Sequence, residues 1–221
     1  MTEFQEFPKI ARLNREVVVT EKIDGTNASV YIGEPGAGGE HGAFLVGSRT
    51  RWITPEADNH GFARWAYDHE EELRTLGPGY HYGEWWGSGI QRGYGLEKGE
   101  KRFSLFNVAR WGDERSAVCR KCHLSAATWA PDVCARCGEG RPAEPPRRPG
   151  CCSVVPTLLR APWGIDTAAR VCIERLREEG SRAAPGFMKP EGIVVFHAHS
   201  RGLFKVTLEK DEEHKGKAAA E

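Results

Sequence analysis

The 221-residue chain has no apolar run approaching the ~18–20 residues that cross a bilayer. Its first stretch, MTEFQEFPKIARLNREVVV, lacks the apolar centre of a secretory signal. No charge of one sign dominates: 31 Lys and Arg balance 31 Asp and Glu. The whole-chain field therefore makes no case for a polyanion partner, and any nucleic-acid site must be a local patch. There is no paired cysteine framework of the secreted kind, since the seven cysteines are odd in number and cluster between Cys119 and Cys172. No internal repeat occurs. The Gly-rich stretch 33–42 (GEPGAGGEHG) has neither a Gly-Lys-Ser/Thr ending nor the GxGxxG register, which excludes a phosphate loop. These absences lead us to expect a soluble cytoplasmic protein without membrane contact, with a monomer favoured.

What is present suits one substantial domain. Hydrophobic residues make up 39% and glycine adds 26 positions, an ordinary globular content that supports a core without disulfide staples. Residues 16–32 read as two strands about the Asp24-Gly25 turn: VVVTEKI is a β-branched run and ASVYI resumes it. Helical spacing of Phe62, Trp65, Ala66, Leu73 and Leu76 predicts a helix over 59–77, capped by Asn59 and stopped by Gly77-Pro78. YHYGEWWG reads as a strand ending in a Gly-rich turn, and RFSLFNVAR (102–110) as a buried strand. A second helix is predicted over 166–180, then two late strands, EGIVVF and GLFKVTL, and a charged tail.

Five short segments carry chemistry. Lys22, at the end of a β-branched strand before a tight turn, offers an amine that is nucleophilic only when deprotonated, from a reference pKa of ~10.4. Glu84 lies between aromatics in Tyr82-Gly83-Glu84-Trp85-Trp86-Gly87, and Phe106 closes Phe103-Ser104-Leu105-Phe106. Glu191 opens a late strand, and Lys205 lies fourteen residues later. Together they supply an amine, two carboxylates for a metal or ribose hydroxyls, an aromatic face for a base and a cation for a phosphate. A plain strand-turn with incidental polar residues would explain any one segment alone.

In this order the segments resemble the covalent nucleotidyltransferase superfamily of polynucleotide ligases and capping enzymes, and most closely its ATP-dependent RNA ligase family. The resemblance spans roughly residues 16–210. It implies an α+β fold of antiparallel sheets with flanking helices, built as an adenylation domain over residues 1–221 without a separate C-terminal OB domain. It implies Lys22 as the adenylated lysine, Glu21 as the position that reads adenine, Asp24 and Gly25 completing the first motif, and Asn27 serving the sealing steps. Arg49 corresponds to a phosphate-contacting arginine, with Arg51 a rival. Glu84 corresponds to the third-motif glutamate, Phe106 to the adenine-stacking aromatic, Glu191 to the magnesium-associated glutamate, acting through water, and Lys205 to a fifth-motif lysine. The implied cofactors are ATP and Mg2+ (or Mn2+), and the implied partner is RNA with 5′-phosphate and 3′-hydroxyl ends. DNA ligation, GTP-dependent capping, RNA adenylylation without sealing and non-catalytic RNA binding stay open as alternatives. The fifth motif departs from the family pattern: Thr207 stands where a second lysine is usual, and Lys210 is the nearest substitute.

A segment over 117–150 interrupts this order. Cys119-x-x-Cys122 and Cys134-x-x-Cys137 are two knuckles eleven residues apart, a pattern that suits tetrahedral structural zinc. A redox pair is the rival reading. Arg120, Lys121, Arg136, Arg141, Arg147 and Arg148 make the segment basic, for a phosphate backbone or simply as solvated charge. Cys151, Cys152 and Cys172 are expected to be buried or spare thiols. His197 and His199 are read as ordinary histidines rather than ligands. Most of the tryptophans are read as core or cleft wall. The loop GSGIQRGYG, with Arg92 and Tyr94, is a possible substrate contact that the sequence alone leaves undecided.

Overall fold

The computed structural model describes residues 4–7, 9–36, 41–112, 129–130, 133–134, 148–162 and 164–209. In chain order the elements begin with β1 (Val17–Lys22), β2 (Thr26–Ile32), β3 (Phe44–Gly47), β4 (Trp52–Ile53), α1 (Phe62–Asp68), α2 (Glu70–Arg74) and β5 (Gly79–Gly87). A short 3-10 turn (Gly93–Gly95), β6 (Lys101–Leu105), α3 (Val108–Trp111), β7 (Trp129–Ala130) and β8 (Val133–Cys134) follow. The chain continues through β9 (Cys152–Val154), β10 (Thr157–Ala161), α4 (Ile165–Glu179), β11 (Gly192–His197) and β12 (Gly202–Thr207). None of the described helices is long and apolar enough to cross a membrane. Two compact units result, one of residues 1–23 with 156–221 and one of residues 24–155.

The first unit is an antiparallel sheet in the order β10-β1-β11-β12. Strand period places Val17, Val19 and Glu21 on one face of β1, with Ile193 and Val195 across from them on β11. That face buries itself against Ala168, Cys172, Ile173 and Leu176 of α4. The helix thus presents its apolar stripe to the sheet, and it stops at Gly180, as its sequence predicts. Cys172 is fully buried here, and His197 is 2% exposed, bridged to the Leu13 carbonyl and the Ser200 hydroxyl, which gives it the ordinary structural role expected.

The second unit is a six-stranded sheet in the order β4-β3-β2-β5-β6-β9, with β7 and β8 forming a separate two-stranded ribbon. One face packs Ala28, Val30, Ile32, Val46, Trp85, Phe103 and Leu105 against Phe62, Ala66, Leu73 and Leu76 of the helical segment. The β6–β9 pair is parallel, so the sheet is mixed rather than wholly antiparallel as expected.

Three further expectations change. The helix read over 59–77 is two helices, broken at His69, whose φ of −114° leaves the helical region. Its side-chain cap is Asp58, which accepts from the Ala63 N–H (2.7 Å) and the Arg64 N–H (3.1 Å), while Asn59 donates instead to the Thr26 hydroxyl (2.9 Å). The strand read over 102–110 ends at Leu105, because the Asn107 side chain accepts from the Arg110 N–H (3.0 Å) and starts α3. Cys119, Cys122, Cys137, Trp163 and Lys210 lie outside the described residues; Cys134 is described only as part of the ribbon backbone.

Candidate active site

β1 delivers Lys22 on the face of its sheet opposite α4, since side chains alternate and Val17, Val19 and Glu21 occupy the helix side. Lys22 pairs across the strands with Gly192, and Gly192 with Thr207; Lys205 lies two residues along β12 from Thr207 and so shares the same face. The Lys22 Nζ donates to Glu191 Oε2 at 2.6 Å, both side chains being partly buried at 26% and 17% exposure. Such a short, partly desolvated pair is stronger than a surface ion pair and fixes the direction of the amine. Lys205 is exposed and makes no ion pair among the described residues. Thr207, where the sequence lacks a second lysine, occupies the row that crosses from Lys22, its hydroxyl donating to the Glu209 carbonyl at 2.8 Å.

Glu21 points the other way and is 1% exposed. Its carboxylate accepts from the Ser181 hydroxyl (2.5 Å) and from the Arg182 (2.8 Å) and Ala183 (2.9 Å) N–H groups. Burial outweighs these bonds and raises its pKa above the ordinary carboxylate value. The side chain expected to read adenine thus braces the turn after α4.

In the second unit the first motif continues through Asp24 and Gly25. Asp24 receives Arg92 Nε at 3.0 Å, and its N–H donates to the Tyr94 hydroxyl at 3.0 Å. Tyr94 is 1% exposed and meets Trp86 edge-on, with ring centroids 5.2 Å apart. The loop left undecided by the sequence thus props the motif turn. Its signal was the glycine density: Gly89, Gly93 and Gly95 take the left-handed backbone that glycine adopts freely, and Tyr94, between the last two, shares it at a φ of 51°. Glu84, 8% exposed, accepts from the Gly25 N–H (3.1 Å) and the Asn27 side-chain amide (3.5 Å). Glycine is required at 25: a Cβ there would stand 2.5 Å from the Trp85 carbonyl oxygen and 2.7 Å from Trp86 Cβ.

Strand pairing sets Asn27 opposite Glu84, and Glu84 opposite Ser104. Phe106, expected on a buried strand, follows β6 at 40% exposure, its N–H donating to the Tyr82 carbonyl at 2.9 Å. Arg49 is exposed in the turn between β3 and β4, as is Arg51. Trp85, Trp86 and Trp111 are core residues.

The donor set can also be tested for a divalent ion. Among the described residues no group of three His, Cys, Asp or Glu side chains gathers for direct ligation. Magnesium, however, keeps most of its waters and takes one or two carboxylates beside substrate phosphates. Glu191, adjoining the Lys22 amine, fits that mode.

One antiparallel and one mixed sheet with few helices, a lysine ending an internal strand and a carboxylate held against its amine match a nucleotidyltransferase-type fold. The sequence model of the RNA ligase family matches residues 15–207, and the chain belongs to that family. Among curated proteins none matches it. Its fold is shared by a mutant of Naegleria gruberi RNA ligase solved with AMP and manganese, 19% identical at a TM-score of 0.53, covering 92% of this chain and 53% of that one. A second mutant of the same ligase, solved with ATP and manganese, is 18% identical at a TM-score of 0.52, with the same coverage. The chain thus spans about half the length of these relatives.

Proposed function

We propose that this chain is the nucleotidyl-transfer domain of an ATP-dependent RNA ligase. The observation that carries the reading is the Lys22–Glu191 pair at the end of β1, within a chain of the RNA ligase family. Lys22 Nζ, once unprotonated, attacks the α-phosphate of ATP; a P–N bond forms, the bond to pyrophosphate breaks, and lysyl-AMP remains. The AMP passes to a 5′-phosphate on RNA, and a 3′-hydroxyl then displaces AMP to form the phosphodiester. Glu191 would hold a divalent ion through its water shell, and that ion would supply charge neutralisation for the phosphates. Glu191 directs the amine in the resting protein. Lys205, on the same sheet face, and Arg49 meet the charge that develops on the transferred phosphate. Gly25, Asn27 and Glu84 form one bonded cluster, with Asp24 held beside it in the chain by Arg92 and Tyr94; these residues serve the nucleotide and the sealing steps, and Phe106 offers an exposed ring to the base.

The test is incubation with α-labelled ATP and magnesium, then a chase with 5′-phosphorylated RNA. The wild type gains one AMP and passes it on; Lys22→Arg, which keeps the charge opposite Glu191, gains none. An adduct on the variant overturns the assignment of the nucleophile. Accumulated AppRNA without joined product would instead favour adenylylation without sealing, for which Thr207 in the second-lysine position is the motivating feature.

The four-cysteine segment is proposed to hold structural zinc through Cys119, Cys122, Cys134 and Cys137, on the strength of its paired knuckles. Elemental analysis of the purified protein is expected to give one zinc per chain, falling on Cys122→Ser substitution. A metal-free wild type excludes the site.

A further inference from the structure

The two faces of the six-stranded sheet differ in what covers them. One is the apolar core beneath α1 and α2. On the other, strand pairing aligns Asn27, Ser29 and Tyr31 of β2 with Glu84, Tyr82 and Tyr80 of β5, and Leu45 and Gly47 of β3 lie next in line. The Glu84 end of this face is closed by Trp86 and Tyr94. Its other end is open: Trp52 is 47%, Tyr80 53% and Tyr82 57% exposed.

These rings are ordered. Tyr80 and Tyr82 have centroids 5.7 Å apart and planes within 5°; Trp52 and Tyr80 are 6.1 Å apart and within 17°. Tyr31 supports Tyr80 from the neighbouring strand at 4.7 Å. Gly47 makes room for the indole, since a Cβ at that position would come within 3.2–3.3 Å of the Trp52 ring. Arg51, immediately before Trp52, is exposed and makes no ion pair among the described residues. Three exposed, near-parallel rings on a sheet, with the exposed cation Arg51 next to Trp52 in sequence, have the chemistry of a surface that stacks unpaired bases and attracts a phosphate backbone. The surface is continuous with the row holding Asn27 and Glu84, so a strand lying on it leads toward those residues.

We infer that this open half-face is the docking surface for the single-stranded RNA segment adjoining the reacting end, with its bases against Trp52, Tyr80 and Tyr82 and its backbone drawn by Arg51. This inference rests on the RNA ligase reading for the identity of its strand. The rings act only in holding RNA, through stacking that tolerates any base sequence.

The experiment is fluorescence anisotropy of the full chain with a labelled 12-nucleotide 5′-phosphorylated RNA, without ATP, and with an abasic strand of equal length. Trp52→Ala and Tyr80→Ala are each expected to weaken RNA binding roughly 5- to 100-fold, while Tyr80→Phe stays within about 2-fold of wild type. The abasic strand should bind the wild type as weakly as RNA binds the alanine variants. Equal binding of RNA by wild type and alanine variants, equal binding of abasic and intact strands, or no binding of RNA by the wild type overturns the inference. AMP labelling of the same preparations separates the two readings. A wild type that binds RNA through its rings but takes up no AMP refutes the ligase assignment and leaves the docking surface standing.

Discussion

At the scale of single residues, neighbouring positions on β1 have opposite duties. Lys22 and Glu21 are one residue apart, so strand geometry sends them to opposite faces. Lys22 meets Glu191, and Glu21 meets three donors from residues 181–183. Removing the buried acceptor leaves those donors unsatisfied, so Glu21→Ala should destabilise the protein by about 2–3 kcal/mol, read from urea unfolding. An unchanged midpoint would show that the brace contributes nothing. Lys22 and Glu191 were legible as motif residues because of their order along the chain, and the structure joins them in one pair. The inward direction of Glu21 was not, since strand period shows which residues share a face but not which face turns to the helix.

Among the elements, strands were easier to read than helix ends. β1, β11 and β12 follow from β-branched runs bounded by turn residues, and α4 from its apolar stripe and Gly180. The break at His69 and the cap at Asp58 involve local side-chain hydrogen bonds, His69 Nδ1 with the Trp65 carbonyl and Asp58 with the Ala63 N–H, which the spacing of apolar residues does not carry. The tyrosines of β5 alternate visibly in Tyr80-His81-Tyr82, yet their openness to solvent depends on what the rest of the chain leaves uncovered. His81, between them, is 3% exposed and bonds the Gly77 carbonyl at 2.7 Å. Burial, with Arg110 nearby, lowers its pKa below the ordinary 6.5. The unfolded chain therefore binds a proton that the native strand refuses, and stability is whole above about pH 6.5 and falls as pH drops below it. The stability difference between wild type and His81→Asn should shrink from pH 7.5 to pH 5.5 in urea titrations; a constant difference would show that His81 does not titrate on unfolding.

For the whole molecule, the order of the chain and the order of the units disagree. Residues 24–155 form one unit from a continuous stretch, whereas the other joins residues 1–23 to 156–221. Neither segment boundary coincides with the cysteine-rich stretch 117–150 that composition marks as foreign. Closing the longer loop carries the larger entropic cost, so the sheet of β2–β6 should gain amide protection before β1 does on refolding. Pulse-labelled hydrogen exchange reads this directly, and earlier protection of Val17–Val19 would contradict it.

The pairing of Lys22 with Glu191 spans 169 positions. On a ribosome adding about 5–20 residues per second, the Val17-Val18-Val19 run emerges roughly 10–30 s before its strand partners. For that interval the nascent chain exposes a sticky β-branched segment, which favours shelter by a holdase. The same delay withholds the assembled amine–carboxylate pair until Glu191 has been translated.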